Sequence, residues 1–221
     1  MSSSLLLTVS LLFSFAAYPA YAYKIYRDEA RPTRPTWIMI LVSDLLLFCF
    51  MLMEARWDWL LLGFTAGNTM MLALMAYSDI RDAKRHPTPK SQSRREHLRL
   101  AVLGRDPWTK KDVYSVAVAL GALGLWAATG SGVYAICFSL AGKIAASLPM
   151  WVNLYKDPRR EAMLPWILWA IGGALYIFAI PQAKWGFVSL AMPIVFLILE
   201  CIVLGLLMRR FANGTDALAH S

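Results

Sequence analysis

Long apolar stretches alternate with short polar ones along most of this chain, and this alternation restricts the folds open to it. Seven stretches are long enough, or nearly so, to cross a hydrocarbon core at about 1.5 Å per helical residue. Only 16% of the 221 residues are charged, whereas soluble domains carry about 25%. We therefore predict an all-α integral membrane protein with seven transmembrane helices, at residues 4–23, 36–53, 58–78, 113–130, 132–154, 163–181 and 185–208.

The basic residues set the orientation of these spans. Of the 22 Lys and Arg residues, 19 follow the first, third or fifth span or lie in the C-terminal tail. The positive-inside rule places these segments in the cytoplasm, and hence the N-terminus outside and the C-terminus inside. We expect the plasma (inner) membrane as the location. Topology then explains the net charge of +8, and we predict no nucleic-acid partner.

Cysteine and histidine are placed unfavourably for metal or catalytic chemistry. Cys49, Cys137 and Cys201 all fall inside apolar stretches, and the three histidines lie in polar segments. No CxxC pair, no Cys/His spacing and no Ser/His/Asp set occurs. We therefore predict no metal site, no cofactor and no enzymatic activity.

Two segments of the chain repeat one pattern. Residues 15–37 and 145–166 each run from an apolar stretch with a single Pro to a Tyr, a base, an Asp, a polar loop and a Trp. An offset of 129 carries the second and third spans onto the sixth and seventh, and a one-residue insertion aligns Pro19 with Pro149. Because one connector span separates the triplets, both enter the membrane in the same direction.

The predicted organisation is therefore 3-1-3, two parallel three-helix repeats joined by a connector helix. Its parts are a first repeat (1–82), a basic cytoplasmic loop (83–112), a connector helix (113–131), a second repeat (132–210) and a cytoplasmic tail (211–221). In the basic loop, Ser93 and Glu96 have the spacing of a capping box ahead of an amphipathic pattern that ends near Gly104. We expect a short helix there, lying on anionic lipid headgroups.

The two repeated prolines are candidates for gating. A proline inside a helix removes one backbone hydrogen bond and kinks the helix. Placed late in the first helix of each triplet, Pro19 and Pro149 would let the cytoplasmic half-helices swing, which suits alternating access. The alternative is that each proline makes a static packing kink.

Four polar side chains within the predicted spans stand out as candidates, namely Asp44, Asn68, Lys143 and Glu200. An ionisable group there costs several kcal/mol, so it usually faces a cavity or a partner. One interpretation is a solute cavity, with Asn68, Lys143 and Glu200 binding the substrate. Asp44, Glu200 and Lys143 would then serve in proton coupling or as an ion pair.

The alternatives are a buried Lys–carboxylate pair that fixes helix register and a lysine that snorkels to the headgroups. Helical rise places Lys143 about 20 Å, Glu200 about 13 Å and Asp44 about 10 Å from the cytoplasmic ends of their spans. These depths favour pairing of Lys143 with Glu200 over pairing with Asp44.

The 3-1-3 layout, with its late Pro and the exits Tyr-Arg-Asp at 26–28 and Tyr-Lys-Asp at 155–157, resembles the SWEET and SemiSWEET sugar transporters of the PQ-loop superfamily. The resemblance covers about residues 4–80 and 132–210. It implies alternating access between two three-helix repeats. The family often has Gln after the Pro, whereas this chain has Ala20 and Met150.

The residues of the family's sugar site are matched in part. Members commonly place an Asn in the third helix of each triplet, which Asn68 matches and the seventh span does not. The family's second-helix Trp has no clear counterpart, since Trp169 is near the start of its span. Tyr176 lies deeper and is our candidate for that position.

Two functions remain open at this stage. The first is a transporter of a small polar solute, sugar-like or a small anionic metabolite, which is facilitative or proton-coupled. The alternative is a seven-helix membrane receptor or assembly factor on a PQ-loop-like scaffold, which binds a partner through its basic cytoplasmic loop. Homo-oligomerisation is compatible with both.

Overall fold

The computed structural model describes residues 3–27, 29–53, 59–85, 99, 110–130, 132–182 and 186–219. Within these residues the chain forms seven α-helices and no β-strand, so the predicted all-α class is confirmed for this part of the chain. The helices are α1 (Ser3–Tyr26), α2 (Arg34–Met53), α3 (Trp59–Arg85), α4 (Lys110–Thr129), α5 (Gly132–Lys156), α6 (Met163–Ala179) and α7 (Phe187–Ala219). A 3-10 turn, Pro158–Arg160, precedes α6.

Each helix covers most of one predicted span, but several helices extend further. α3 continues past residue 78 to Arg85, and α7 continues past residue 208 to Ala219. Hydropathy marks where an apolar stretch stops, whereas the Arg, Ala and Lys residues at 81–85 are good helix formers that carry α3 on into polar sequence. The predicted loop helix that ends near Gly104 lies outside the described residues.

Two short connections have clear local causes. Asp157 caps the 3-10 turn, because its carboxylate accepts a hydrogen bond from the Arg159 N–H at 3.1 Å while Pro158 supplies the fixed φ of the first turn position. Gly130 follows the last residue of α4, Thr129, and its φ of 62° lies in the left-handed region that favours glycine.

The chain divides into two compact units. Unit 1 comprises residues 1–31 and 150–221, and unit 2 comprises residues 32–149. In unit 1, α6 packs along α1 and against α7; in unit 2, α2 packs against α3 and α4. Each unit therefore combines the first helix of one predicted triplet with the second and third helices of the other.

Close packing in each unit depends on polar contacts at helix interfaces. In unit 1, the buried Ser10 hydroxyl donates to the Gly172 carbonyl at 2.7 Å, which requires α1 and α6 to approach closely. In unit 2, the Arg34 guanidinium pairs with Asp79 at 2.8 Å and joins the start of α2 to α3. Because Arg34 is buried, solvent screens the attraction between the two charges less than in an exposed pair of the same length.

Buried positions recur along the chain at the offset of 129. In α1 the buried residues are Ser10, Ser14, Ala17, Tyr18, Tyr21 and Ile25. The residues 129 positions later, all buried in α5, are Ser139, Lys143, Ala146, Ser147, Met150 and Leu154. Four buried residues of α6 (Pro165, Trp166, Trp169 and Gly172) match buried residues of α2 (Thr36, Trp37, Ile40 and Ser43) in the same way. This register needs no insertion, so Pro149 corresponds to Ala20 and not to Pro19.

The helices place large apolar side chains outward and several polar side chains inward. Leu12, Leu120, Phe178 and Ile198 are exposed, while Asp44 is buried. Among the described residues, Ser3–Tyr26 and Ser189–Arg209 are long and apolar enough to cross a membrane, and 28% and 39% of their apolar windows are buried. A core helix of a soluble protein would be mostly buried. Two helices thus have the length and composition of membrane spans, and the other predicted spans stay predictions.

Candidate functional site

Three polar side chains meet inside unit 2, one each from α2, α3 and α5. The Lys143 ammonium donates to Oδ1 of Asp44 at 2.6 Å, and the Asn68 amide donates to Oδ2 of Asp44 at 2.6 Å. Asp44 is 1% exposed, Asn68 4% and Lys143 9%. Each carboxylate oxygen therefore accepts a hydrogen bond, which is the condition under which a buried ion pair can persist.

Around this set, α2 and α5 are in buried contact, and nearby hydroxyl groups form hydrogen bonds within their own helices. Met39 of α2 and Ala146 of α5 form a buried contact about one turn away from the ion pair. The hydroxyl of Ser147 donates to the Lys143 carbonyl at 2.9 Å, and that of Thr65 donates to the Leu61 carbonyl at 2.9 Å. Because these hydroxyls bond within their own helices, the carboxylate of Asp44 is left to Lys143 and Asn68.

The pairing of Lys143 with Asp44 differs from the pairing with Glu200 that helix depth favoured. α2 begins at Arg34, two residues before the predicted span, so Asp44 lies about 15 Å from its start. Lys143 lies about 20 Å from the end of α5 at Lys156. The lysine side chain bridges the remaining difference. The predicted partner was wrong because the sequence pattern placed the start of α2 two residues too late.

Glu200 belongs to unit 1, where it is buried beside Gly173 of α6. A Cβ on Gly173 would lie 3.2 Å from Oε2 of Glu200 and 3.9 Å from Cβ of Leu197. Because Gly173 has no side chain, it leaves room for the carboxylate of Glu200. Tyr176 is partly buried three residues further along α6. The candidate residues thus fall in both units, with Asp44, Asn68 and Lys143 in one and Tyr176 and Glu200 in the other.

The two candidate gating prolines differ in their surroundings. Pro19 lies inside α1 and is exposed, whereas Pro149 lies inside α5 and is buried. Unit 2 ends at Pro149 and unit 1 resumes at Met150. α5 thus passes from one compact unit to the other at the residue that cannot donate a helical hydrogen bond.

A buried carboxyl group at Glu161 was missed from the sequence. The Tyr21 hydroxyl of α1 donates to its Oε2, and the Trp166 side chain of α6 lies nearby. Burial raises the pKa of Glu161 to about 7, against the lowering effect of the Tyr21 hydrogen bond, the Trp166 side chain and the nearby Arg160. In the sequence this residue stands in a polar loop, where a glutamate is ordinarily exposed.

Aromatic rings enclose this carboxyl group and join α1 to α6. The Trp169 ring packs edge-on against Tyr18 at 5.3 Å, Tyr21 at 5.9 Å and Trp166 at 5.1 Å between centroids. Edge-to-face pairs of this kind contribute about 0.5–1.5 kcal/mol each beyond the area they bury. The cluster therefore fixes the ring of Tyr21, whose hydroxyl bonds to Glu161.

No family model matches this chain, and no curated protein or solved structure matches it either. The likeness to SWEET transporters stays a resemblance carried by the layout, the prolines and the basic exits. The contacts of Asp44, Asn68 and Lys143 are therefore the main evidence about function.

Proposed function

We propose that this protein is a membrane transporter of a small polar solute, sugar-like or a small anion, working by alternating access. The carrying observation is the buried set of Asp44, Lys143 and Asn68. Removing two opposite charges from water is costly, and apolar residues in their place are often as stable or more so. Such a pair inside apolar helices is therefore better explained by a role in handling a polar solute.

The chemistry of the set suits exchange between partners. A lysine ammonium offers three donors and an asparagine amide offers both donors and acceptors. A solute carboxylate or hydroxyl can replace Asp44 as the acceptor for Lys143, while Asn68 turns its amide toward the same solute. When the solute is an anion, Asp44 is left negative, and a proton on its carboxylate would restore the charge balance. This last step would make transport proton-coupled.

The distribution of side chains supports a membrane setting with the N-terminus outside and the C-terminus in the cytoplasm. Exposed leucine, isoleucine, phenylalanine and valine side chains cover helices of both units. Apolar side chains that face outward suit contact with lipid. The positive-inside rule would then assign the basic ends of α1, α3 and α5 to the cytoplasmic side.

Internal repetition supports alternating access. Buried positions of α1 and α2 recur 129 residues later in α5 and α6. Each compact unit combines the first helix of one triplet with the second and third helices of the other, so the same grouping of helices occurs twice. Pro149 is the natural hinge, because α5 changes units there and lacks one hydrogen bond.

Uptake into proteoliposomes tests the proposal. The purified full chain is reconstituted and offered radiolabelled sugars, amino acids, nucleosides and carboxylates, with and without a pH gradient. We expect uptake of at least one class, and loss of that uptake in Asn68→Ala and in Lys143→Met. Ser147→Ala is the matched control, because it removes a buried hydroxyl that bonds only to its own helix among the described contacts.

The double variant Lys143→Met/Asp44→Asn separates transport from a register role. It removes both charges and leaves an oxygen at position 44 for the Asn68 amide. We expect it to fold like the wild type but not to transport. If it transports normally, the ion pair serves helix register and our assignment of the site is wrong.

A further inference from the structure

A cavity of about 400 Å³ opens in unit 1 where α1 and α5 end. Its lining residues are Glu29, Arg31, Asn153, Lys156, Asp157, Arg159 and Arg160. Four of these seven side chains are cationic, and they come from two chain segments more than 100 residues apart. The cavity thus concentrates positive charge that the sequence distributes over two loops.

The two carboxylates in the lining are already engaged. Glu29 accepts hydrogen bonds from Lys24 and from Arg27, the latter at 3.3 Å, and neither of these cations lines the cavity. The hydrogen bond from Lys24 contributes most to lowering the pKa of Glu29. Asp157 uses Oδ1 to cap the 3-10 turn. The positive charge of the lining is therefore only partly offset.

Backbone hydrogen bonds hold the two segments of the cavity together. The N–H of Arg31 donates to the Arg160 carbonyl at 2.7 Å. The N–H groups of Glu29 and Ala30 donate to the Lys24 carbonyl at 2.9 and 3.2 Å, so the loop folds back on the end of α1. The cationic side chains are thus carried on a backbone that is already in place, which lowers the entropy cost of binding.

Aromatic residues surround this end of unit 1. Tyr23 and Tyr26 of α1 and Tyr155 of α5 are all exposed. The Arg209 guanidinium lies 3.9 Å from the centre of the Tyr155 ring and donates to the Tyr155 carbonyl. Exposed tyrosines beside basic residues mark the headgroup level of a bilayer, so the cavity lies where phosphates of a membrane would be.

We propose that this cavity binds a phosphate group, presented either by an anionic lipid headgroup or by a soluble phosphate ester. Guanidinium groups match the geometry of phosphate oxygens through paired N–H donors, and Arg31, Arg159 and Arg160 supply three of them. The Asn153 amide adds a neutral polar group, and the volume falls within the range of small-molecule sites. The inference is independent of transport and needs only the membrane setting for its lipid source.

The test compares two phosphate sources on the full chain in detergent. One arm titrates inorganic phosphate against chloride at equal ionic strength and follows the unfolding temperature. The other arm uses native mass spectrometry to measure retention of phosphatidylglycerol relative to phosphatidylcholine. We expect saturable binding in at least one arm, and the arm that responds identifies the source.

The double variant Arg31→Gln/Arg159→Gln should weaken that binding at least tenfold, because a hydrogen bond to a charged group accounts for about that factor. Lys84→Gln/Lys110→Gln is the matched control, since it removes the same charge from exposed positions of unit 2. Lys156→Gln, a single exposed change, gives a second variant if the first is unstable. Equal weakening in variant and control, or no weakening in either, overturns the proposal.

This outcome is distinguishable from that of the transport experiment. If the protein moves no solute but binds phosphate through Arg31 and Arg159, the phosphate site is supported and the transport proposal is not. If it transports solute but shows no such binding, the proposed phosphate site is wrong and the transport proposal stands. The two sets of variants share no residue.

Discussion

Gly173 of α6 stands 129 residues after Asp44 of α2, and the carboxylate of Glu200 lies 3.2 Å from the point where a Cβ of Gly173 would be. Each compact unit therefore has a buried carboxylate at or next to this pair of equivalent positions. In unit 2 the carboxylate belongs to Asp44 itself. In unit 1 the equivalent residue is Gly173, and Glu200 of the neighbouring α7 supplies the carboxylate. The residue equivalent to Lys143 is Ser14, so the ion pair of unit 2 has no counterpart at that residue of unit 1.

Three glycine-to-alanine changes should rank by the space around each glycine. A Cβ at Gly172 would crowd the Ser14 side chain and would lie 3.0 Å from the Ser10 carbonyl and 3.1 Å from the Ser14 nitrogen. Because backbone cannot move aside easily, Gly172→Ala should lower the free energy of unfolding by about 2–3 kcal/mol. Gly173→Ala should cost less, since it meets the end of a flexible glutamate.

Gly205→Ala is the control for this series, because among the described atoms none lies within 4 Å of its Cβ position. It should be neutral or stabilise the protein by up to about 1 kcal/mol through helix propensity. Thermal unfolding in one detergent measures all three. A Gly172→Ala variant as stable as Gly205→Ala would contradict the close packing of α1 on α6.

Removing Lys143 alone should be far more harmful than removing the whole ion pair. Lys143→Met leaves the buried Asp44 carboxylate without its cation, and we expect a loss of about 3–5 kcal/mol. Lys143→Met/Asp44→Asn should recover most of that loss. Chemical unfolding of Lys143→Met, of Asp44→Asn and of the double variant gives the coupling energy between the two residues. Additive effects would contradict a direct ion pair.

The stability of unit 1 should depend on pH through Glu161. Its pKa in the folded protein is about 7, against an ordinary value of 4.5, so the folded state binds the proton more tightly. The contribution is fully present below about pH 4.5 and is lost as pH rises through 7, a change of roughly 3 kcal/mol. The unfolding temperature should therefore fall as the pH rises from 5 to 8. Glu161→Gln should remove this dependence on pH.

Glu29→Gln is the control for this pH experiment. The pKa of Glu29 is lowered, first by its hydrogen bond with Lys24, so any contribution it makes has the opposite sign and is lost as pH falls. Its replacement should leave the slope between pH 5 and 8 unchanged. A slope that persists in Glu161→Gln would assign the effect to another group.

Tyr21→Phe should raise the pKa of Glu161 further. The Tyr21 hydroxyl donates to the carboxylate and so favours its charged form. Without that donor the midpoint of the pH dependence should move upward. Infrared difference spectra of the carboxyl band measure the midpoint directly, and a downward shift would contradict the direction of this hydrogen bond.

The two prolines should contribute unequally to transport. Pro149→Ala restores a helical hydrogen bond where α5 changes units, and we expect slower solute exchange with an unchanged or higher unfolding temperature. Pro19→Ala, at an exposed position of α1, should have a smaller effect. Equal slowing by both changes would support the symmetric gate that the sequence alignment of the prolines favours.

The sequence predicts the helices well because each is a long apolar stretch, and it also singles out Asp44, Asn68 and Lys143 as polar residues within such stretches. It does not predict that Lys143 pairs with Asp44, since the depth of a side chain depends on where a helix starts. Glu161 escapes notice because local sequence carries no sign that Tyr21, 140 residues away, covers it. The grouping of α1 with α6 is likewise a long-range property without a local pattern.

That grouping affects the order of events during synthesis. Unit 2 is one continuous segment, whereas unit 1 needs residues 1–31 and residues from 150 onward. At about 5–20 residues per second, α6 leaves the ribosome on the order of ten seconds after α1. During that interval Ser10 and Ser14 have no Gly172 to pack against, so this face of α1 stays without its native partner until α6 has been made.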